Sequence, residues 1–193
     1  MSRPRVGVLA LQGAFAEHAH HLAAAGAEPV ELRQASDLTG DIRGLVFPGG
    51  ESTTQARLLR RLGMVEQLSQ WMAGGMPALG TCAGLILLAD QVAGEGRGAL
   101  ASLPIEVERN AYGRQLGSFV GRGEVSGQPL EMTFIRAPKI AALHPGAVVE
   151  ATYDGYPVAV SRGQVYACTF HPELGDDLRI HRRLVQAATA FAG

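Results

Sequence analysis

The sequence predicts an α/β fold, with a mostly parallel central sheet flanked by helices in the first half and an antiparallel or mixed β extension in the second. Three observations predict it. Short continuous apolar runs such as Val6-Gly7-Val8-Leu9-Ala10-Leu11 alternate with segments of helical period, which is the βαβ pattern of strands buried on both faces. Glycine-rich turns follow the strands, at the carboxyl ends where open α/β sheets place their sites. From Gly94 onward the rhythm changes to short β-rich segments separated by turns, with no helices between them until the last.

Taken in order, the run at 6–11 is the first strand, broken by Gln12-Gly13. A helix over 14–25 carries Phe15, Ala19, Leu22 and Ala23 or Ala25 at three-to-four spacing and closes at Gly26, a residue type that ends helices without steric cost. Strands follow at 29–33 and 42–47, the latter running into Pro48-Gly49-Gly50-Glu51-Ser52. Ser52-Thr53-Thr54-Gln55 has capping-box spacing and starts a helix through Leu58, Leu59 and Leu62 to Gly63. A further helix over 65–73 carries Trp71 as a core residue. Beyond Gly94, strands are expected at 105–109, 119–125, 131–135, 147–149, 157–162 and 164–170, and an amphipathic helix over 177–191 covers the sheet.

The chain turns on Gly80-Thr81-Cys82-Ala83-Gly84. Met76-Pro77-Ala78-Leu79 leads in as a strand, and Leu85-Ile86-Leu87-Leu88-Ala89-Asp90 leads out as a helix. A nucleophile on such a sharp strand-to-helix turn is held outward, and small flanking residues let a substrate approach. A cysteine there sits at a helix N-terminus, where free N–H groups favour the thiolate. An isolated cysteine between glycines is more often a small buried core residue; the strand, turn and helix favour the nucleophile.

Length and composition narrow the class. The 193 residues fit one domain spanning 1–193. Apolar residues make up 47% and charged ones 18%, enough to build a core and contrary to disorder. A net charge of −1 gives no footprint for nucleic acid. Arg57, Arg60 and Arg61, and later Arg182-Arg183, are expected on solvated helix faces. The first apolar run is shorter than the ~7–15 residues of a signal core, and none approaches the ~18 needed to span a membrane, so a cytoplasmic protein is expected. Cys82 and Cys168 make no disulfide framework, and no Cys/His cluster has metal spacing. Cys168 is expected in the core, His144 and His181 at the surface. His18, His20 and His21 read either as a helix surface or as a partner-facing side of the first helix.

A thiolate nucleophile needs a base, and the base needs a group that fixes its tautomer. His171 and Glu173 suit these roles, because residues two apart on an extended segment share a side and Pro172 stiffens the link. The Gly49-Gly50 pair can expose backbone N–H groups to an oxyanion.

The elbow, the glycine turn and His171-Pro172-Glu173 resemble the class I (triad) glutamine amidotransferase family. Leu11-Gln12-Gly13-Ala14-Phe15-Ala16-Glu17-His18, Pro48-Gly49-Gly50-Glu51-Ser52-Thr53-Thr54, Glu108-Arg109-Asn110-Ala111-Tyr112-Gly113 and Phe134-Ile135-Arg136-Ala137-Pro138 narrow the resemblance to the glutaminase subunits of pyridoxal 5′-phosphate synthase, over essentially the whole chain. The resemblance implies a single flavodoxin-like domain that hydrolyses L-glutamine to glutamate and ammonia through a γ-glutamyl thioester. The ammonia would pass to a pyridoxal 5′-phosphate synthase subunit in a hetero-oligomer. Pyridoxal phosphate is then a product of the complex, so neither cofactor nor metal is implied for this chain, nor a nucleic-acid or membrane partner.

Carried over by motif, Cys82 is the nucleophile, His171 the acid and base, and Glu173 the residue that orients it. Gly50, Glu51, Ser52, Arg109, Ile135 and Arg136 contact the substrate. An arginine fork suits its α-carboxylate, and Glu51 suits its α-ammonium. The N–H groups of Gly50 and Ala83 are candidate oxyanion donors by analogy with serine elbows. Gln12 falls near the site and the synthase interface, where partner binding completes the oxyanion hole, so low activity is expected of the subunit alone. A glutaminase serving another synthase, such as that of histidine biosynthesis, or a partner-free hydrolase of glutamyl bonds would keep Cys, His and Glu but not these four stretches together. A silent module on the same fold would be expected to lack the nucleophile or the histidine, and a stand-alone cysteine peptidase or redox sensor would need no partner.

Overall fold

The computed structural model describes residues 3–109 and 117–192. Asn110-Ala111-Tyr112-Gly113, from the motif after Glu108-Arg109, lies outside the described residues. The chain begins β1 (Arg5–Leu9), α1 (Phe15–Ala24), β2 (Glu28–Leu32), β3 (Ile42–Phe47), α2 (Ser52–Arg61), α3 (Val65–Ala73), β4 (Ala78–Thr81) and α4 (Ala83–Leu88). It continues through β5 (Ala89–Val92), β6 (Gly96–Arg97), β7 (Leu103–Glu108), β8 (Ser118–Val125), β9 (Gln128–Ile135), β10 (Lys139–Leu143), β11 (Val148–Tyr153), β12 (Tyr156–Arg162) and β13 (Val165–Cys168) to α5 (Arg179–Ala190).

Seven strands form the central sheet in the order β11-β12-β13-β4-β3-β1-β2. The pairs β1/β2, β1/β3, β3/β4 and β4/β13 are parallel, whereas β12 joins β13 and β11 joins β12 antiparallel. A four-stranded sheet, β10-β7-β5-β6, and the hairpin β8-β9 make up the extension. The fold class is therefore the expected one. Successive strand residues point to opposite faces, and both faces are apolar. Val6, Val8, Val46, Leu79 and Cys168 pack with Leu22 of α1, Ile180 and Leu184 of α5 and the β8-β9 hairpin. Leu9, Leu45, Phe47 and Ala167 pack on the other side with Leu59 of α2, Leu68 of α3, Leu85 of α4 and the four-stranded sheet.

Several local expectations are corrected. The helix after the elbow ends at Leu88, so Ala89-Asp90 opens β5 and the change of rhythm comes before Gly94. The apolar run continues from Leu85 through Ala89, so it does not mark where the buried helix hands over to the strand. The edge strand β10 was not foreseen. The capping box at Ser52–Gln55 does not form: Glu51 is the N-cap, accepting from the N–H groups of Thr53 (2.9 Å) and Thr54 (2.8 Å), while Gln55 turns inward. Trp71 is half-buried at the edge of the core. His181 is fully buried, contrary to the surface placement, as is His18. Among the described residues no helix is long and apolar enough to cross a membrane.

The close approach that positions the site is between α4 and the end of β3. A Cβ on Gly84 would fall onto the carbonyl oxygen of Phe47, and backbone cannot yield as a flexible side chain would. Gly84→Ala is expected to lower the thermal midpoint of the full chain by roughly 3–10 °C. A midpoint within about one degree of wild type would contradict this packing.

Candidate active site

Cys82 sits between β4 and α4 with φ 48°, a left-handed conformation that a side-chain-bearing residue adopts only when its surroundings impose it. Its N–H donates to Cys168 O (2.9 Å), fixing the turn on β13. The Sγ atom is nearly buried, 3.8 Å from the Ile135 carbonyl oxygen.

His171 and Glu173 follow β13, the strand beside β4, so sheet order alone brings them to Cys82. His171 N–H donates to Thr133 O (2.8 Å), and its Nδ1 lies 2.6 Å from Glu173 Oε1. Burial opposes charge on this ring. Its hydrogen bonding and charge interactions with Cys82 and Glu173 outweigh burial and raise its pKa to about 10. At neutral pH the ring is therefore an imidazolium, with Nδ1–H donating to Glu173. Cys168 differs: burial first, then the nearby Glu173, pushes its thiol well up, leaving a neutral core group with little nucleophilic character.

The glycine turn is fastened at each peptide. Gly49 N–H donates to Thr81 Oγ1 (3.1 Å), and Gly49 O accepts from Ala14 N–H (3.0 Å). Glu51 N–H donates to Gln12 Oε1 (2.6 Å), and Gln55 Nε2 donates to Gln12 O (2.8 Å) and Pro48 O (3.2 Å). No side chain fits at Gly49, where a Cβ would meet the His171 ring, nor at Gly50, where it would meet Gln12 Oε1.

These elements enclose a cavity of about 310 Å³ lined by Gln12, Gly50, Glu51, Ser52, Cys82, Ala83, Ile86, Arg109, Ile135, Arg136 and His171. Every predicted site residue except Glu173 lines it, and Glu173 lies behind His171, 3% exposed. Two predicted contacts are already engaged. Arg109 Nη1 donates to Thr53 Oγ1 (2.7 Å) and Glu95 Oε1 (2.9 Å), and its Nη2 donates to Glu51 Oε1 (3.3 Å). Hydrogen bonding by Thr54 first, with the Thr53 and Thr54 amides, holds the Glu51 carboxyl at about 2, so it is negative at the rim. Arg136, at φ 43°, lines the cavity, and no side-chain hydrogen bond or ion pair joins it to the described residues.

Sequence reasoning missed Ile86, which adds apolar wall, and the buried His18, Thr81 and Gln55 behind the site. His18 and His21 lie three apart on one face of α1 and His20 on another, a spacing that could have separated the buried pair from the exposed ring. Among the described residues no group of three or more His, Cys, Asp or Glu is arranged to hold a metal ion.

A family model described as the SNO glutamine amidotransferase family matches residues 8–190. A protein of Desulfitobacterium hafniense (strain Y51), named pyridoxal 5′-phosphate synthase subunit PdxT, is 48% identical over 186 residues, covering 95% of this chain and 92% of the relative. One of Streptococcus pneumoniae (strain ATCC 700669 / Spain 23F-1) with the same name is 45% identical over 185 residues, covering 94% and 96%. A crystal structure described as a glutamine amidotransferase superposes with TM-score 0.90 at 42% identity, covering 95% of this chain and 98% of that one. PurLQS from Thermotoga maritima, at 16% identity and TM-score 0.75, shares the fold, with 97% and 98% covered.

Because Glu173 helps hold the His171 proton, Glu173→Gln is expected to move the His171 titration to lower pH, read by histidine NMR. An unchanged midpoint would contradict the pairing.

Proposed function

The chain belongs to the SNO glutamine amidotransferase family, and on that premise we propose that it is the glutaminase subunit of a pyridoxal 5′-phosphate synthase, acting in the cytoplasm through Cys82, His171 and Glu173. The observation that carries the reading is the convergence of Cys82, the His171–Glu173 pair and the Gly49-Gly50 turn on one cavity. The names of relatives at 45–48% identity support the choice of synthase.

L-Glutamine enters with its side-chain amide toward Cys82. Arg136, the guanidinium left free among the described residues, takes the α-carboxylate. Glu51, negative at the rim, takes the α-ammonium, held by Arg109 and backed by Ser52. Ile86 and Ile135 line the methylenes. The Cys82 thiolate attacks the amide carbon, and the N–H groups of Gly50 and Ala83 receive the oxyanion. The His171 imidazolium gives its proton to the departing nitrogen, the C–N bond breaks, and ammonia leaves a γ-glutamyl thioester on Sγ. Neutral His171 then takes a proton from water, whose oxygen attacks the thioester carbon. Collapse breaks the C–S bond, releasing glutamate and restoring the thiolate–imidazolium pair. Glu173 keeps the ring oriented throughout.

Ammonia passes to the synthase subunit. Gln12, which holds Glu51 N–H, sets the glycine turn whose final geometry depends on that partner.

The test is glutamate release from L-glutamine by the purified chain, with and without a pyridoxal 5′-phosphate synthase subunit. Strong stimulation by the partner is expected. Cys82→Ala should abolish release, and Glu173→Ala should reduce it by less, since orientation rather than the nucleophile is removed. Turnover indifferent to the partner would contradict the choice of synthase; near-normal turnover in Cys82→Ala would contradict the triad.

A chloroketone analogue of glutamine should alkylate Cys82 and spare Cys168. Peptide mass mapping that found the reverse would refute the nucleophile.

A further inference from the structure

Behind the triad lies a buried row of imidazoles that the proposed chemistry leaves unused. His18 of α1 is fully buried, with Nε2 3.0 Å from Thr81 Oγ1 and 3.3 Å from Glu173 Oε2. Its Nδ1 lies 2.9 Å from Nε2 of His181 in α5, which is also fully buried. His21, one turn on along α1, lies with its ring 4.8 Å from that of His181 and tilted to it, and its two nitrogens face the carbonyl oxygens of Glu17 and Gly175. Thr81 is the residue whose hydroxyl holds Gly49 N–H.

Hydrogen-bond accounting decides where the His18 proton sits. Glu173 is a buried carboxylate whose Oε1 receives the His171 proton. Its Oε2 has no regular hydrogen bond among the described residues, and the nearest ring nitrogen on its ion-pair side is His18 Nε2. A bare Nε2 lone pair facing that oxygen would set two acceptors 3.3 Å apart in a site without water contact, which is costly for a buried charge. It would also require His18 Nδ1 to donate to His181 Nε2, leaving the buried Nδ1 of His181 as an N–H with no acceptor. With the proton on Nε2 instead, His18 faces Thr81 Oγ1 and Glu173 Oε2 as a donor, and its Nδ1 accepts from His181 Nε2–H. A lone pair on His181 Nδ1 and the Thr81 hydroxyl proton are then unmet, neutral groups that cost less to leave so than a buried carboxylate oxygen with no donor.

Both rings do this as neutral groups. Burial first, then His181, His171 and His21, lowers His18 well below the usual histidine range, and burial, then His21, lowers His181 to about 3. The groups facing His18 are Thr81 from β4, His171 and Glu173 after β13, His181 from α5 and His21 from its own helix. Glu173 is the only carboxylate among them.

We propose that His18 is a positioning residue for the glutaminase reaction, a neutral Nε2–H donor that holds the Glu173 carboxylate and the Thr81 hydroxyl at once and so ties the His171–Glu173 pair to the Gly49-Gly50 turn. The inference rests on the glutaminase reading of the same site. It also makes α1 the joint between the two halves of the chemistry, since Gln12, Gly13 and Ala14 at its start fasten the turn.

The test compares the full-length wild type with His18→Leu and His18→Gln, assayed with the synthase subunit, with thermal unfolding measured alongside. Gln retains an N–H donor at the reach of Nε2; Leu does not. In His18→Leu, kcat is expected to fall about tenfold, the loss of one hydrogen bond to a charged group, with KM for glutamine changed by less than about twofold. His18→Gln should recover most of kcat.

A His18→Leu loss carried by KM with kcat unchanged, or His18→Gln no better than His18→Leu, would overturn the role. Should His18→Leu fail to fold, long-range ¹H–¹⁵N histidine spectra of the wild type decide. An Nε2–H tautomer for His18 supports the proposal, and an Nδ1–H tautomer overturns it. The spectra need no turnover, so wild type with no glutaminase activity beside its partner would remove the glutaminase reading while the tautomer still judged His18.

Discussion

Everything in the site depends on the backbone-to-backbone contact between the start of α4 and the end of β3. Gly84 rests against the Phe47 carbonyl with no room for a Cβ, and Cys82 is held at φ 48° two residues earlier. That contact brings Cys82, Ala83 N–H and the Pro48-Gly49-Gly50 turn to the same ends of adjacent strands. The sheet order then supplies the third component, because β13 flanks β4 on its other side and delivers His171. A side chain at residue 84 would separate groups that must meet within a bond length or two of a substrate, so the smallest residue sits where the tolerance is least.

Electrostatics separate the two cysteines. Cys168 ends β13 and Cys82 follows the neighbouring β4, yet Cys168 is fully buried near Glu173, which disfavours its thiolate, while Cys82 opens on the cavity beside the imidazolium of His171. The carboxylate that holds this imidazolium is itself buried and must be solvated by protein donors. The row His18–His181 behind it is the polar lining that such a charge requires in an otherwise apolar interior. The same row explains why α1 and α5 meet at all through histidines on faces that elsewhere carry Leu22, Ile180 and Leu184.

Much of this was legible in the sequence because the signals were local. Continuous apolar runs marked the parallel strands, glycines marked the turns, and Cys82, His171 and Glu173 stood in segments whose strand-turn context gave them a role. What was not legible depended on long-range partners. His181 has arginine neighbours at 182 and 183 and reads as a surface residue until α5 is laid against α1. The pairing of Arg109 with Glu51 spans two distant segments, so the residues expected to grip substrate ends are found gripping each other. The handover from α4 to β5 was hidden because the apolar run continues from Leu85 through Ala89, across the boundary, and the polar Asp90-Gln91 comes only after it. Glu51 took the cap from Ser52 because its carboxylate accepts two amides at once, which a hydroxyl does less well.

The central claim is that glutamine nitrogen leaves while the γ-glutamyl group is bound to Cys82. The most direct measurement is a rapid acid quench of the full chain turning over L-glutamine beside its synthase subunit, followed by peptide mass mapping. The account predicts a γ-glutamyl adduct on the Cys82 peptide and none on the Cys168 peptide. An adduct on Cys168, or steady glutamate release with no acylated cysteine at any quench time, would contradict it.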